Sequence, residues 1–149
     1  MLLDFIKYIQ PTWYFRLEGQ TSPFADPEWL MEHYPDQFNW DIHFSTPEAR
    51  KAELAFQAFQ RGYIPEKQTP RYPIWDDKNS SRTDRYRLIR KYFAQYWLYY
   101  IFLLRILSFH NPFKEWFSLK NSSDTPYYDS ATNHFKYPDL DTNQGRIIR

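Results

Sequence analysis

Cysteine is absent from the 149 residues. That removes disulfides, thiolate nucleophiles, zinc-finger ligation and thiolate-held iron–sulfur clusters together, and leaves the redox compartment unspecified. Valine is absent as well and glycine occurs only three times, which argues against a large sheet built on β-branched strands and glycine turns. Three glycines also cannot build the phosphate-cradling loops GxGxxG or GxxxxGK[ST], or the nucleophile elbow GxSxG, and none of these occurs. Charge of one sign is lacking too. Nineteen Lys and Arg stand against eighteen Asp and Glu for a net +1, so no global field recruits nucleic acid or an acidic partner.

Chemistry-bearing constellations are equally sparse. His33, His43, His110 and His134 are scattered, with no HExxH and no acidic residue at ligand spacing, so each reads as structural or solvated. Asp139-Leu140-Asp141 matches a metal-binding DxD, but no apolar strand precedes it and it lies in a polar tail. The sequons at Asn79 and Asn121 fall in Ser/Asn-rich stretches and read as chance. The start of the chain, MLLDFIKYIQ, carries Asp4 inside a short apolar run, unlike a secretory signal or an Arg-rich transit peptide. The sequence thus predicts no catalytic residue, no metal and no cofactor.

What is present is aromatic. Phe, Tyr and Trp make up 21% of the chain, interleaved with eleven prolines. That mixture suits a chain that drapes over a partner, because disordered chains are poor in aromatics. Mean hydropathy is −0.78, and one long apolar run stands out against it. This is Tyr92 to Phe109, YFAQYWLYYIFLLRILSF, preceded by Arg82, Arg85, Arg87, Arg90 and Lys91.

In chain order, Leu2, Leu3, Phe5, Ile6 and Ile9 have helical spacing up to Pro11. Asp26-Pro27-Glu28 is a helix start that fades before Pro35. Residues 36–45 alternate Phe38, Trp40, Ile42 and Phe44 with polar neighbours. That is strand period, or an extended arm laying aromatics into pockets of another protein. The clearest element is an amphipathic helix over 47–61, capped by Thr46 and stopped by Gly62, with a packing stripe of Ala52, Ala55, Phe56 and Phe59. Residues 64–81 read as a proline-rich arm. Asn111-Pro112 opens a second short helix with Phe113, Trp116 and Phe117 on one side, and an aperiodic tail follows Lys120. The expected organisation is an N-terminal arm over 1–81, a long apolar helix over 82–110, and a short helix with extended tail over 111–149.

The long helix decides the fold class. Its eighteen apolar-run residues span roughly 27 Å, a little under a hydrocarbon core of about 30 Å. Gln95 and Arg105 interrupt it, yet apolar residues surround it, which calls for protein or lipid on every side. The expectation is a mainly α chain with one long single-span helix, short flanking helices and extended aromatic arms, without an independent globular sheet. An interfacial helix and a buried soluble helix are the alternatives. The basic cluster Arg82, Arg85, Arg87, Arg90 and Lys91 is expected to anchor at lipid headgroups, placing the N-terminal side in the matrix or cytoplasm. Gln95, Tyr99, Phe102 and Ile106 share one side and are expected to face a partner helix.

Thr46-Pro47-Glu48 with Arg50 opening an Ala-rich helix, followed by an apolar run and Tyr137-Pro138 in the tail, resembles single-span accessory subunits of mitochondrial respiratory-chain complexes. The nearest pattern is the ASHI-type subunit of the NADH:ubiquinone oxidoreductase beta subcomplex. The resemblance implies a non-catalytic role in assembly and stability at the mitochondrial inner membrane, a bacterial inner membrane being the alternative site. It also implies other subunits and phospholipid as partners, with no nucleic acid and no small-molecule substrate. Two other readings stand beside it. One is a membrane-attached piece of a glycosyltransferase-like enzyme; the other is a soluble aromatic-rich binding module.

Overall fold

The computed structural model describes residues 2–9, 22–73, 80–129 and 132–137. Among them the chain forms a 3-10 helix (Leu2–Tyr8) and five α-helices. These are α1 (Pro27–His33), α2 (Pro47–Gln60), α3 (Arg82–Tyr92), α4 (Tyr96–Leu107) and α5 (Pro112–Asn121). The sole β pairing among the described residues is an isolated antiparallel bridge between Ala25 and Arg71.

Local chemistry explains where each helix begins. Asp26 accepts from the amides of Glu28 and Trp29, Thr46 from Ala49, Ser81 from Asp84, and Asn111 from Phe113 and Lys114. Proline occupies the first turn of α1, α2 and α5, where its missing N–H costs nothing. At its far end α2 closes in a Schellman motif. The Tyr63 amide donates to Ala58 and the Gly62 amide to Phe59, with Gly62 at φ 81°.

Helix α2 sits between two apolar cores. Ala49, Ala52, Ala55 and Phe56 join a larger cluster built from Leu2, Leu3, Phe5 and Ile6 of the 3-10 helix, Tyr86, Leu88 and Ile89 of α3, Leu98 and Ile101 of α4, and Leu119 of α5. Leu54 and Ala58, about 140° round the helix, join a smaller cluster with Ala25, Leu30, Phe38, Tyr63 and Phe135. The alanines permit the close approach that the stripe predicts, while Phe59 is left partly open. A third side of α2 carries Glu53, Gln57 and Arg61 at successive turns.

The structure overturns the single-span expectation. No helix among the described residues is long and apolar enough to cross a membrane. The stretch 82–110 is two helices, separated where Phe93 turns extended at φ −125° and ψ 158°. A straight helix of that length would measure about 43 Å. The radius of gyration expected for a chain this size is about 15 Å, a diameter of roughly 38 Å, so one unbroken rod would carry its ends beyond the core. Breaking it lets α4 fold beside α5. The rest of the chain covers one side of the run only: Leu98 and Ile101 join the larger core, while Tyr96, Tyr99, Tyr100, Leu103 and Leu107 stay exposed.

The segment 36–45 is likewise no strand. Phe38 enters the smaller core and Phe44 the larger, while Ile42 is exposed. Its two phenylalanines thus serve two cores of the same molecule, while Trp40, like Ile42, stays exposed. Asp139 to Asp141, Pro138, Asn79 and the sequence after Tyr137 lie outside the described residues, as do Trp13, Tyr14 and Phe15.

Candidate functional site

The α4–α5 hairpin is amphipathic in an unusual sense, because its ion pair is buried among core residues while its exposed side is largely apolar. Helix α4 turns Leu98, Ile101 and Arg105 inward, and α5 turns Glu115, Ser118 and Leu119 inward. Arg105 grips Glu115 with two hydrogen bonds of 2.9 Å each, from Nε and from Nη2. Arg82 of α3 adds an ion pair at 2.9 Å, and the Tyr86 hydroxyl donates at 2.8 Å. The Arg105 guanidinium also lies 4.7 Å from the Phe5 ring centre. Burial pushes the Glu115 carboxyl up, but the Arg105 and Tyr86 hydrogen bonds, with the charges of Arg105 and Arg82, outweigh it and hold its pKa below the usual carboxylate value. Such a satisfied ion cluster fixes the hairpin's orientation, since any rotation of α4 or α5 would strand a buried charge.

Outward, the picture reverses. Tyr96, Tyr99, Tyr100, Leu103 and Leu107 of α4 are exposed, as are Phe109 in the turn and Phe113, Trp116 and Phe117 of α5. The half-buried Phe102 ring contacts Trp116 at 6.1 Å and joins the two stripes. Together the nine exposed side chains present apolar surface on the order of 1,000 Å², above the few hundred usual on a monomer. The exposed charged side chains from Tyr96 to Lys120 are Lys114 and Lys120, both positive.

Phe109 is the sharpest feature. The turn repeats the Schellman pattern of α2: the His110 amide donates to Arg105 at 3.1 Å and the Phe109 amide to Ile106 at 3.0 Å. The left-handed position that Gly62 fills in α2 is here held by Phe109, at φ 60° and fully exposed. An L-residue in this conformation costs about 1–2 kcal/mol, and an aromatic ring in water gains nothing in return. Backbone strain and an exposed ring at one residue mark a position kept for something other than stability.

The other sequence-derived candidates fall elsewhere. On the side expected to meet a partner helix, Gln95 and Tyr99 are exposed and Phe102 and Ile106 half-buried. The expected headgroup cluster is turned into the protein. Arg82 pairs with Glu115, Arg85 with Asp4 at 3.1 Å, and Arg87 with Asp84 at 3.2 Å and Asp124 at 3.3 Å. The Arg90 Nε reaches the Ser122 hydroxyl. Lys91, almost wholly buried, binds Asp41 at 2.6 Å and Glu53 at 2.7 Å. Ala52, Ala55 and Phe56 pack in the larger core as described above.

The Lys91 cluster is the second buried ionic centre. The Tyr92 hydroxyl also donates to Glu53, and Asp41 is bonded by His43. Burial raises the Glu53 carboxyl pKa against the opposing pull of Lys91 and Tyr92. Burial also raises the Asp41 carboxyl, but hydrogen bonds and charge from Lys91 and His43 leave it below its usual value. With one ammonium and two carboxylates shared among α3, α2 and the 36–45 segment, the cluster ties the two cores together. Among the described residues no group of three His, Asp or Glu side chains is placed to hold a metal ion.

The inward-facing cations were not readable from sequence because, apart from the local Arg87–Asp84 pair, their partners are distant along the chain, as with Arg85–Asp4, Lys91–Asp41 and Arg82–Glu115. Phe109 left one signal only: no Gly or Asn stands between Leu107 and Asn111 to take the helix end.

Comparison with protein-family models, with curated proteins and with solved structures finds no match.

Proposed function

We propose that the chain is a non-catalytic accessory protein of a membrane-associated assembly, attached by laying the α4–α5 hairpin into the interfacial layer of an anionic phospholipid leaflet. The observation that carries this reading is the apolar outer face of the hairpin, crowned by the strained and fully exposed Phe109. Tyr and Trp favour the headgroup level, where ring and polar tip are both satisfied. Phe109 and Phe113 are wedges for the acyl boundary. Lys114 and Lys120 add attraction to anionic lipid, about 1 kcal/mol each near the surface. A protein partner is the less favoured occupant, because lysine is depleted in protein interfaces and a protruding ring needs a matching pocket.

Attachment of this kind requires no span, in keeping with the broken helix. The parent complex is drawn from the resemblance to respiratory-chain accessory subunits alone, and what the geometry supports is the membrane surface. Co-sedimentation with vesicles tests the reading. The chain is expected to pellet with phosphatidylserine-containing vesicles, less with phosphatidylcholine alone, and to be released in part by salt. A chain that ignores both vesicles, or instead forms a concentration-dependent dimer that covers the hairpin, refutes it.

A further inference from the structure

The α4–α5 hairpin carries little charge for the area it exposes. Between Tyr96 and Lys120 the one carboxylate, Glu115, is buried, and the outward cations are Lys114 and Lys120. We infer that the hairpin is selective for strongly curved, loosely packed leaflets, so that lipid packing decides attachment more than lipid charge does. This rests on the surface attachment proposed above and names the kind of bilayer that it takes.

Two effects compete to set the affinity. Two lysines close to an anionic surface together strengthen binding roughly 30-fold. A single phenyl ring withdrawn from water is worth roughly 10- to 100-fold. One ring therefore matches both lysines, and seven of the nine exposed side chains of the face are aromatic: Tyr96, Tyr99, Tyr100, Phe109, Phe113, Trp116 and Phe117. The apolar face sets the affinity. Its rings gain that stabilisation only where there is room for them between the lipid headgroups.

The room required is wide, because the face is preformed. Arg105 holds Glu115 by two hydrogen bonds of 2.9 Å, and Glu115 also takes the Arg82 ion pair at 2.9 Å and the Tyr86 hydroxyl at 2.8 Å. Phe102 and Trp116 join the two stripes above this cluster. The helices cannot enter the leaflet one after the other, since turning either away would strand a buried charge. They enter together, as a plate roughly 20 Å across. A flat, tightly packed leaflet must be forced apart to admit such a plate. The outer leaflet of a small vesicle already has its headgroups splayed, which is why interfacial apolar faces are sensitive to curvature.

Flotation of the full chain with vesicles about 30 nm and about 200 nm across tests the inference. Both sizes carry the same phosphatidylcholine and phosphatidylserine content and are compared at equal outer-leaflet lipid. We expect binding to the small vesicles to be at least about tenfold tighter. Phe113 and Lys114 are both exposed, so neither substitution disturbs the core. Phe113→Ala should weaken binding to the small vesicles more than to the large ones and so shrink the ratio. Lys114→Ala should weaken both by the same factor and leave the ratio unchanged. Equal affinity for the two sizes, or a ratio that Lys114→Ala abolishes, overturns the inference and leaves the surface attachment standing. Failure to bind either size refutes the attachment, and the inference with it.

Discussion

Phe109 offers a perturbation whose two readouts are expected to move in opposite directions. Replacing it by glycine removes no packing, because the ring is fully exposed. It relieves about 1–2 kcal/mol of left-handed strain at φ 60°. Against that stands roughly 0.4–1 kcal/mol for the extra freedom of glycine in the unfolded chain. The net expectation for Phe109→Gly is a gain of about 0.5–1 kcal/mol, read as a higher urea midpoint with an unchanged slope. Membrane attachment should respond oppositely. Burying a phenyl ring contributes about 1.5–3 kcal/mol, so its loss should weaken partitioning into anionic vesicles by roughly 10- to 100-fold. A stability loss with unchanged partitioning would refute the reasoning, since it would make Phe109 a structural residue.

Three further outcomes test the interior. Glu115→Gln leaves Arg105 and Arg82 without their counter-ion and should cost about 3 kcal/mol at neutral pH in urea unfolding. Because the folded Glu115 pKa is depressed, its contribution is present above the unfolded value of about 4.3 and lost as pH falls through the folded one. The gap between wild type and variant should therefore narrow in acid, and a gap independent of pH would argue against the cluster. Glu53 has the opposite sign: its raised folded pKa gives a contribution complete below about 4.3 and lost as pH rises through the folded value. Glu53→Gln should flatten the decline of stability with pH above that point, and an unchanged slope would exclude Glu53 as its source. Gly62→Ala should cost a net of about 0.5–1 kcal/mol, the strain at φ 81° less the unfolded-state freedom that glycine gives up, with no steric part because nothing lies within 4 Å of the added carbon. Crystallographic displacement of neighbours in that variant would contradict this account.

The elements whose signals are local are legible in the sequence. Helix α2 announces itself through Thr46, Pro47 and Gly62, and α5 through Asn111-Pro112, because capping chemistry acts within three residues. The break at Phe93 carried no such mark. No Pro or Gly interrupts 92–96, and the chain turns there because Lys91 and Tyr92 are drawn to Glu53 while Arg105 is drawn to Glu115. Those are tertiary demands on residues of ordinary helical preference. For the same reason a basic run that reads as a headgroup anchor became an internal ion network. The outer face was partly visible, since the spacing already put Phe113, Trp116 and Phe117 on one side of a short helix. The αL turn at Phe109 joins the α4 and α5 stripes at their tip, and only the backbone reveals it.

The absence of cysteine makes the most direct test available, because a single Phe109→Cys carries a nitroxide at one unambiguous position. Power-saturation depth measurement on anionic vesicles should place that label about 5–10 Å below the headgroup boundary. A label that stays in water when the vesicles are saturating would contradict the attachment.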